Sequence, residues 1–286
     1  MTATIATRPP AVFHTPRDLE AVLGERIVSA RPLAQACGAS LIRLDTAAGA
    51  SWVYKGQWGP SLEIPFYRVA RSPLLPKCLP VLEETDRSAL LIEYIDAPLL
   101  IASGFDRDRA IALAMELPRQ FQEIRGDPPV LDRLDTADAW RAFFAHTVDT
   151  LGDLGQRGVL DPLGDELADA LRRAGEAFDA DPLLEGPVGL IHSDLHAENV
   201  FVLPEGGYRV IDWQWPRIAP LAIDTAHLLE TLDGHPLEVL GMAAVFAMYW
   251  VGLGDTLRCL RDAGPDPTGM SERHVVFRIS GILGMV

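Results

Sequence analysis

Two short runs of β-forming residues interrupt the otherwise helical second half of this chain. The runs are NVFVL, from Asn199 to Leu203, and YRVID, from Tyr208 to Asp212, and Pro-Glu-Gly-Gly joins them. β-Branched and aromatic residues favour strands, while proline and glycine favour a turn, so the pattern predicts a β-hairpin. A polar loop with the sequence HSDLHAE precedes the first strand. The predicted hairpin therefore brings Asp212 back beside this loop.

The residues around this hairpin have the types and spacing that phosphoryl transfer requires. That chemistry needs a carboxylate to accept or orient a hydroxyl proton, and oxygen ligands for magnesium on the nucleotide phosphates. We predict Asp194 as the catalytic base and Asn199 and Asp212 as the metal ligands. The loop fits the pattern HxDxxxxN, and its combination with a following Ile-Asp-Trp is more specific than either piece alone. The alternative is that these polar residues only form and cap turns.

These motifs resemble those of the aminoglycoside phosphotransferase and choline kinase-like group of small-molecule kinases, relatives of protein kinases in fold. That group typically has a His-Gly-Asp-Leu-His-x-x-Asn-like loop, then Ile-Asp-Trp or Ile-Asp-Phe, then Pro-x-x-x-Asp. The matching segments here are His192 to Asn199, Ile211 to Trp213 and Pro220 to Asp224. The resemblance implies an α+β, bilobal protein-kinase-like fold, with an antiparallel sheet in a small N-terminal lobe and a larger, mainly helical C-terminal lobe.

The N-terminal half carries the pattern expected of the smaller lobe. From Ile27 to Lys55, short segments alternate with glycine-containing breaks, which predicts an antiparallel meander. The segment from Ser61 to Ala70 predicts a short helix with Pro65 near its first turn. The apolar run from Ala89 to Ile95 predicts a buried strand that ends at Asp-Ala-Pro.

The resemblance implies roles for four residues of this half. Lys55 resembles the strand lysine that holds the α- and β-phosphates, and Glu63 resembles its helix-borne partner. Backbone groups around Glu93 and Ile95 resemble the hinge that binds adenine. The implied cofactors are ATP and Mg²⁺, and the sequence does not distinguish ATP from GTP. We expect a nucleotide-binding lobe over residues 1–95 and a catalytic, substrate-binding lobe over residues 96–286.

Several residues depart from the protein-kinase pattern. No GxGxxG precedes Lys55, so the loop that covers the phosphates is degenerate or lies elsewhere. Ser193 stands where a protein kinase has arginine, no lysine follows two residues after Asp194, and Trp-Gln replaces Phe-Gly after Asp212. The last three differences argue against a protein substrate.

Composition excludes several other classes of protein. The chain has 286 residues, 48% of them hydrophobic, which is enough for one large domain or two lobes. The formal net charge of -15 argues against a general nucleic-acid binder. The apolar run from Val239 to Gly254 is shorter than the roughly 18 residues that span a bilayer, so we expect a buried core helix and no membrane partner.

Cysteine usage and the N-terminus indicate the compartment. Cys37, Cys78 and Cys259 are far apart and outside any metal-binding spacing, so neither a disulfide framework nor a zinc site is indicated. The first ten residues lack the features of a secretory signal. We therefore expect a cytoplasmic protein whose residues 1–12 form a loose tail.

The acceptor is a hydroxyl of a small molecule by resemblance, and the sequence does not name it. Aminoglycosides, macrolides, choline-like amino alcohols, homoserine and sugars are all modified by enzymes that resemble this one. Acidic residues between Asp149 and Glu185 fit either a wall for a cationic acceptor or a solvated helix face. The apolar end from Gly281 to Val286 offers no acid for a cation. The oligomeric state is undetermined.

Two alternatives stay open at this point. The first is a pseudokinase-like module that binds a nucleotide without turnover; the complete set of acids argues against it and the weak glycine loop argues for it. The second is a metal-dependent hydrolase that uses His192, Asp194, His196 and Asp212. Hydrolase sites of that kind usually gather more histidine ligands at metal spacing.

Overall fold

A five-stranded antiparallel sheet dominates the first half of the chain. The computed structural model describes residues 9–36, 38–160, 165–264 and 269–286. The strands β1 to β5 are Ile27–Ala36, Ala39–Thr46, Ser51–Trp58, Cys78–Glu83 and Arg87–Glu93. Their order in the sheet is β1-β2-β3-β5-β4. The meander predicted for this region is confirmed, because β1 pairs with β2 and β2 with β3, both antiparallel.

The N-terminal segment is held against this sheet where it is described. Ala11 is buried, and its N–H donates to Oγ of Ser40 at 2.9 Å. Nε1 of Trp58 donates to the carbonyl of Pro9 at 2.8 Å, so Pro9 and Ala11 of the tail expected over residues 1–12 contact the sheet; residues 1–8 lie outside the described residues. Helix α1, Pro16–Leu23, follows and begins at a capping box formed by Thr15 and Asp18.

Helix α2, Glu63–Val69, lies against the sheet as the sequence predicts. Pro65 falls in its first turn, where a missing N–H leaves no intrahelical bond unmade. Ile64 packs with Leu90 and Ile92 of β5. This contact presents the start of α2, and with it Glu63, to the middle of the sheet.

The strand predicted from Ala89 to Ile95 begins and ends two residues earlier. β5 ends at Glu93, which pairs with Trp52, and the next N–H, of Tyr94, donates to the carbonyl of Ser51 at 3.0 Å. Since β3 begins at Ser51, no further pairing partner is available. The chain leaves the sheet here and enters the second half.

The second half is mainly helical and contains two short sheets. Its helices α3 to α10 are Arg107–Gln120, Ala137–Gln156, Asp165–Ala177, Asp181–Leu184, Ala222–Thr231, Pro236–Leu240, Met242–Ala263 and Met270–Leu283. Its strands β6 to β9 are Val188–Ile191, Val200–Val202, Tyr208–Val210 and Arg217–Pro220. The predicted hairpin is β7 paired with β8, while β6 pairs with β9.

The apolar helix predicted from Val239 to Gly254 corresponds to α9 from Met242 onward, while Val239 and Leu240 end α8. Residues Val245 to Met248 are all buried. Helix α9 packs with α4, α7 and α10 around the largest hydrophobic cluster. In the part of the chain that the structure describes, no helix has the combination of length and hydropathy that crossing a membrane requires.

A second hydrophobic cluster joins the two halves of the molecule. Phe66 of α2 stacks on Trp213, with ring centroids 4.5 Å apart and an angle of 10° between the planes. Phe121 meets the same indole edge-on at 4.9 Å. Because Glu63 precedes Phe66 on α2 and Asp212 precedes Trp213, this stack fixes the two carboxylates relative to each other.

A fully buried ion pair holds β9 against α9. The Arg217 side chain is 0% exposed and donates to both carboxylate oxygens of Asp255, at 2.9 and 2.5 Å. Burial would lower the pKa of Arg217, but the facing carboxylate outweighs it and raises the pKa above its ordinary value. The guanidinium therefore stays charged, with Asp255 as its buried partner and Asp132 as a more exposed one at 3.4 Å.

Arg217→Met should lower the free energy of unfolding by about 3–5 kcal/mol, because it leaves the buried Asp255 without its partner. Urea denaturation measures this loss. The double variant Arg217→Met/Asp255→Leu removes both charges and should recover most of the stability. Equal losses in the single and double variants would contradict this account of the pair.

Candidate active site

Three charged side chains from separate elements meet where the five-stranded sheet faces the segment after the β7–β8 hairpin. Nζ of Lys55, on β3, lies 2.7 Å from Oε2 of Glu63 and 2.7 Å from Oδ1 of Asp212. The Lys55 and Glu63 side chains are 4% and 1% exposed, whereas Asp212 is 32% exposed. The structure thus brings together three residues that the sequence predicts for nucleotide and metal binding.

Lys55 and Asp212 each stabilise the charged form of the other. Burial alone would lower the pKa of Lys55, but Asp212 and Glu63 outweigh it and raise the pKa. Burial would raise the pKa of Asp212, but the ammonium group of Lys55 lowers it below its ordinary value. Burial raises the pKa of Glu63 to about 7. The result is a fixed ammonium group beside an ionised Asp212 carboxylate.

The polar loop before β7 is hydrogen-bonded to helix α7. Asp224 accepts the N–H groups of His192 and Ser193 at 2.6 and 2.9 Å, so it braces the loop as its motif position suggests. Its burial raises its pKa to about 7. Asp224 thus holds the first residues of the loop. Thr231, two turns further along α7, holds the other end by accepting the N–H of Ala197 at 3.0 Å.

His192 is a structural member of this loop. Its Nε2 lies 2.8 Å from the carbonyl oxygen of Ile211, and its Nδ1 lies 3.3 Å from the N–H of Asp194. The carbonyl only accepts and the amide only donates, so the ring is neutral and carries its proton on Nε2. Burial, which lowers the pKa of His192, agrees with this. The ring therefore ties the loop to the segment that carries Asp212.

Asp194 presents its carboxylate to the open side of the loop. The side chain is 44% exposed, and Oδ2 lies 3.6 Å from Nε2 of His196. Asn199 donates from Nδ2 to the backbone carbonyl of Asp194 at 2.9 Å. Nδ2 of Asn199 also lies 3.2 Å from Nε2 of His196. The predicted base, Asp194, and the predicted metal ligand, Asn199, therefore both lie beside His196.

The imidazole of His196 keeps Asp194 ionised. Desolvation in the cleft would raise the pKa of Asp194, but its contact with His196 outweighs this and holds the pKa below its ordinary value. Desolvation lowers the pKa of His196, and the Asp194 carboxylate raises it above the ordinary value in turn. A carboxylate of low pKa is a good orienting group for a hydroxyl and a weak proton acceptor. His196, which the sequence offers as a ligand of the alternative hydrolase, lies beside Asp194 in the structure.

The predicted hinge residues lie where β5 leaves the sheet. The N–H of Glu93 donates to the carbonyl of Lys77 at 2.9 Å, so Glu93 has only its carbonyl to offer a ligand. Within the described residues the N–H of Ile95 makes no hydrogen bond. An acceptor at Glu93 and a donor at Ile95 are the two backbone groups that an adenine edge would pair with.

A short turn replaces a long glycine-rich loop between β1 and β2. Gly38 adopts a φ of 75° there, and its carbonyl accepts the N–H of Trp58 at 3.0 Å. Cys37, the other residue of the turn, lies outside the described residues. A connection of two residues between β1 and β2 has no room for a GxGxxG loop.

Two glutamines that sequence reasoning missed complete the cluster. Nε2 of Gln57 donates to Oε1 of Gln214 at 2.8 Å, and Nε2 of Gln214 donates to Oδ1 of Asp212 at 2.5 Å. The one available signal is spacing: Gln57 stands two residues after Lys55 on a strand, and therefore on the same face of the sheet.

The acidic stretch from Asp149 to Glu185 runs from α4 to the end of α6. Those of its acids whose side chains are described are exposed, and two of them pair with arginines one turn away on the same helix. Asp161 lies outside the described residues. The stretch therefore forms a solvated helix face.

The oxygen atoms at the site fit a hard cation that arrives with a nucleotide. Oδ2 of Asp212 accepts no hydrogen bond from the described residues, and the Asn199 amide, whose nitrogen is used within the loop, keeps its oxygen for another partner. Magnesium is typically held by one or two protein oxygens together with phosphates and water. Among the described residues no group of three or more His, Cys, Asp or Glu side chains could hold a metal by itself.

Comparison with known proteins identifies the family. The model of the phosphotransferase enzyme family matches residues 63–262, well over half of the chain. The chain belongs to this family. The matched region includes α2, the polar loop before β7, the β7–β8 hairpin and all but the last residue of α9. No curated protein matches the chain significantly.

Solved structures related to this phosphotransferase family member share its fold. Aminoglycoside phosphotransferase APH(4)-Ia is 15% identical, with a TM-score of 0.62 over 95% of this chain and 98% of that chain. Spectinomycin phosphotransferase APH(9)-Ia, solved with ADP and spectinomycin, is 13% identical, with a TM-score of 0.56 over 95% and 98%. A putative fructosamine-3-kinase from Thermobifida fusca is 17% identical, with a TM-score of 0.54 over 96% and 99%. These likenesses confirm the predicted bilobal α+β fold.

Proposed function

We propose that this phosphotransferase family member transfers the γ-phosphoryl group of ATP to a hydroxyl of a small molecule. One observation carries the proposal: Lys55 holds Asp212 from across the cleft while Asn199 is tied to the backbone of Asp194. A phosphate anchor, two oxygen ligands and an orienting carboxylate thereby face the same space. Phosphoryl transfer needs little more from a protein than this positioning and charge neutralisation.

Each residue has a separate task in this proposal. Lys55 neutralises charge on the α- and β-phosphates, and the backbone of Glu93 and Ile95 binds the adenine. Asp194 accepts a hydrogen bond from the acceptor hydroxyl and aims its oxygen at the γ-phosphorus. Asn199 and Asp212 hold Mg²⁺, which supplies further neutralisation of the phosphate charge when it is bound. Because the pKa of Asp194 is lowered, it orients the hydroxyl and takes up the proton late, which suits a loose transition state.

The acceptor that we propose is an aminoglycoside-, amino-alcohol- or sugar-like alcohol. Structures that share the fold include complexes with spectinomycin and with hygromycin B, and one neighbour is a putative fructosamine kinase. These are properties of those proteins, and they support a small polar alcohol as the class. We also propose a cytoplasmic location. GTP is the alternative phosphoryl donor, and the assay below compares it with ATP.

One of the two alternative functions is disfavoured by a specific observation. A metal-dependent hydrolase would need His192 as a ligand, but both of its ring nitrogens are engaged by backbone groups. The second alternative is a module that binds a nucleotide without turnover. It differs from our proposal only in catalysis, and only an activity assay separates the two.

The test is a coupled ADP-release assay with Mg-ATP or Mg-GTP and a panel of aminoglycosides, macrolides, amino alcohols and sugars. We expect ADP release that depends on one acceptor class. Nucleotide binding without release for any panel compound would support the module without turnover. Hydrolysis of a panel compound without nucleotide would support the hydrolase.

A further inference from the structure

A chain of hydrogen bonds connects the sheet to Asp212 by a second route, beside the direct contact from Lys55. Gln57 and Lys55 share one face of β3, and their side chains are 6% and 4% exposed. Gln57 reaches Gln214 at 2.8 Å, and Gln214 reaches Asp212 at 2.5 Å. Gln57 and Gln214 are 157 positions apart in sequence and belong to different halves of the fold.

The direction of these bonds follows from chemistry. An ionised carboxylate only accepts, so Gln214 must turn its NH₂ group toward Asp212. Its amide oxygen then faces Gln57, which must offer its own NH₂ group in return. A glutamine at each position satisfies this order, since each amide has a donor at one end and an acceptor at the other.

The chain of bonds leaves one specific atom of Asp212 unused. Nζ of Lys55 and Nε2 of Gln214 both donate to Oδ1. Oδ2 accepts nothing from the residues that the structure describes. Two donors on one oxygen restrict rotation of the carboxylate and leave the other oxygen for a ligand.

We infer that Gln57 and Gln214 are positioning residues that fix the Asp212 carboxylate for the magnesium–nucleotide complex, an inference that rests on the proposed function. Gln214 acts on Asp212 directly, and Gln57 acts only through Gln214. Residues that orient a metal ligand by a hydrogen bond commonly change metal affinity or activity by about 10–100-fold when they are removed. Through Oδ1, the pair also ties the Asp212 carboxylate to the same strand that carries Lys55.

The experiment compares Gln57→Met, Gln214→Met and the double variant with wild type. Gln156→Met, at an exposed position near the end of α4, is the matched control. At fixed ATP, the rise in melting temperature is followed as MgCl₂ increases, and the half-saturating Mg²⁺ concentration is read from the curve. The Mg²⁺ dependence of turnover is measured in parallel.

Gln214→Met should raise the half-saturating Mg²⁺ concentration about tenfold. Gln57→Met should raise it by less, and the double variant should match Gln214→Met alone. Gln156→Met should leave it unchanged. If Gln214→Met does not fold, Gln214→Leu repeats the test, and melting without ligand identifies a variant that is merely unstable.

Three results would overturn the inference. Unchanged Mg²⁺ dependence in the two single variants would mean that the glutamines do not position Asp212. Additive losses in the double variant would mean that Gln57 does not act through Gln214. An absence of any Mg²⁺-dependent stabilisation by ATP in the wild-type protein would instead contradict the proposed function, and this inference with it.

Discussion

Asp194→Ala should lower kcat by about two to four orders of magnitude and change the KM for ATP by no more than a few-fold. The carboxylate is the group that orients the acceptor hydroxyl, and the combined loss of orientation and proton acceptance is of this size. Asp194 lies on the exposed side of its loop, and the loop itself is fixed by Asp224 and His192. Steady-state kinetics with the acceptor identified in the panel measures the effect.

Asp194→Asn is the matched control for shape. It keeps the size of the side chain and removes the charge, so it should lose nearly as much activity as the alanine variant. Equal melting temperatures for both variants and wild type would show that the loop is intact. An alanine variant that kept most of its turnover would mean that another group orients the hydroxyl.

Lys55→Met should lower kcat/KM by about two to three orders of magnitude and raise the KM for ATP. The ammonium group is the cation that Glu63 and Asp212 hold at 2.7 Å, and loss of one preorganised donor to developing charge has an effect of this size. The variant should also be less stable by up to about 3–5 kcal/mol, because the buried carboxylate of Glu63 loses its partner. Glu63, whose pKa burial already raises to about 7, would then take up a proton and offset part of that loss.

The double variant Lys55→Met/Glu63→Gln separates stability from catalysis. It removes the isolated buried carboxylate of α2, so urea denaturation should show a recovery of stability. Activity should stay at the level of the single variant, because the phosphates still lack their cation. Recovery of activity together with stability would mean that Lys55 acts only as a structural partner of Glu63.

Much of the site could be predicted from the sequence because its residues stand in strong local patterns. Asp194 and Asp212 flank a hairpin with clear turn residues, and Lys55 follows the β-forming run Trp-Val-Tyr, in a strand that continues to Trp58. Pro65 marks the first turn of α2, which fixes Glu63 at the start of the helix. In each case the residue lies next to the sequence signal that predicts the strand, turn or helix around it.

The parts that escaped prediction depend on long-range contacts. Strand β4 contains Pro80, is only half-buried and lies at the edge of the sheet, so it lacks the apolar alternation of an inner strand. Gln57 and Gln214 make sense only when β3 meets the segment after Asp212. Arg217 and Asp255 likewise read as ordinary surface charges until the fold buries them together. Such pairs leave no periodic signal along the chain.

The most direct test of the central claim is transfer of a labelled phosphoryl group. The protein is incubated with Mg-ATP radiolabelled in its γ-phosphate and with the acceptor class that stimulates ADP release, and the acceptor is then isolated. We expect the label on a hydroxyl of the acceptor, in an amount equal to the ADP formed, and no transfer by Asp194→Ala. Label found only as inorganic phosphate, or equal transfer by the variant, would contradict the account.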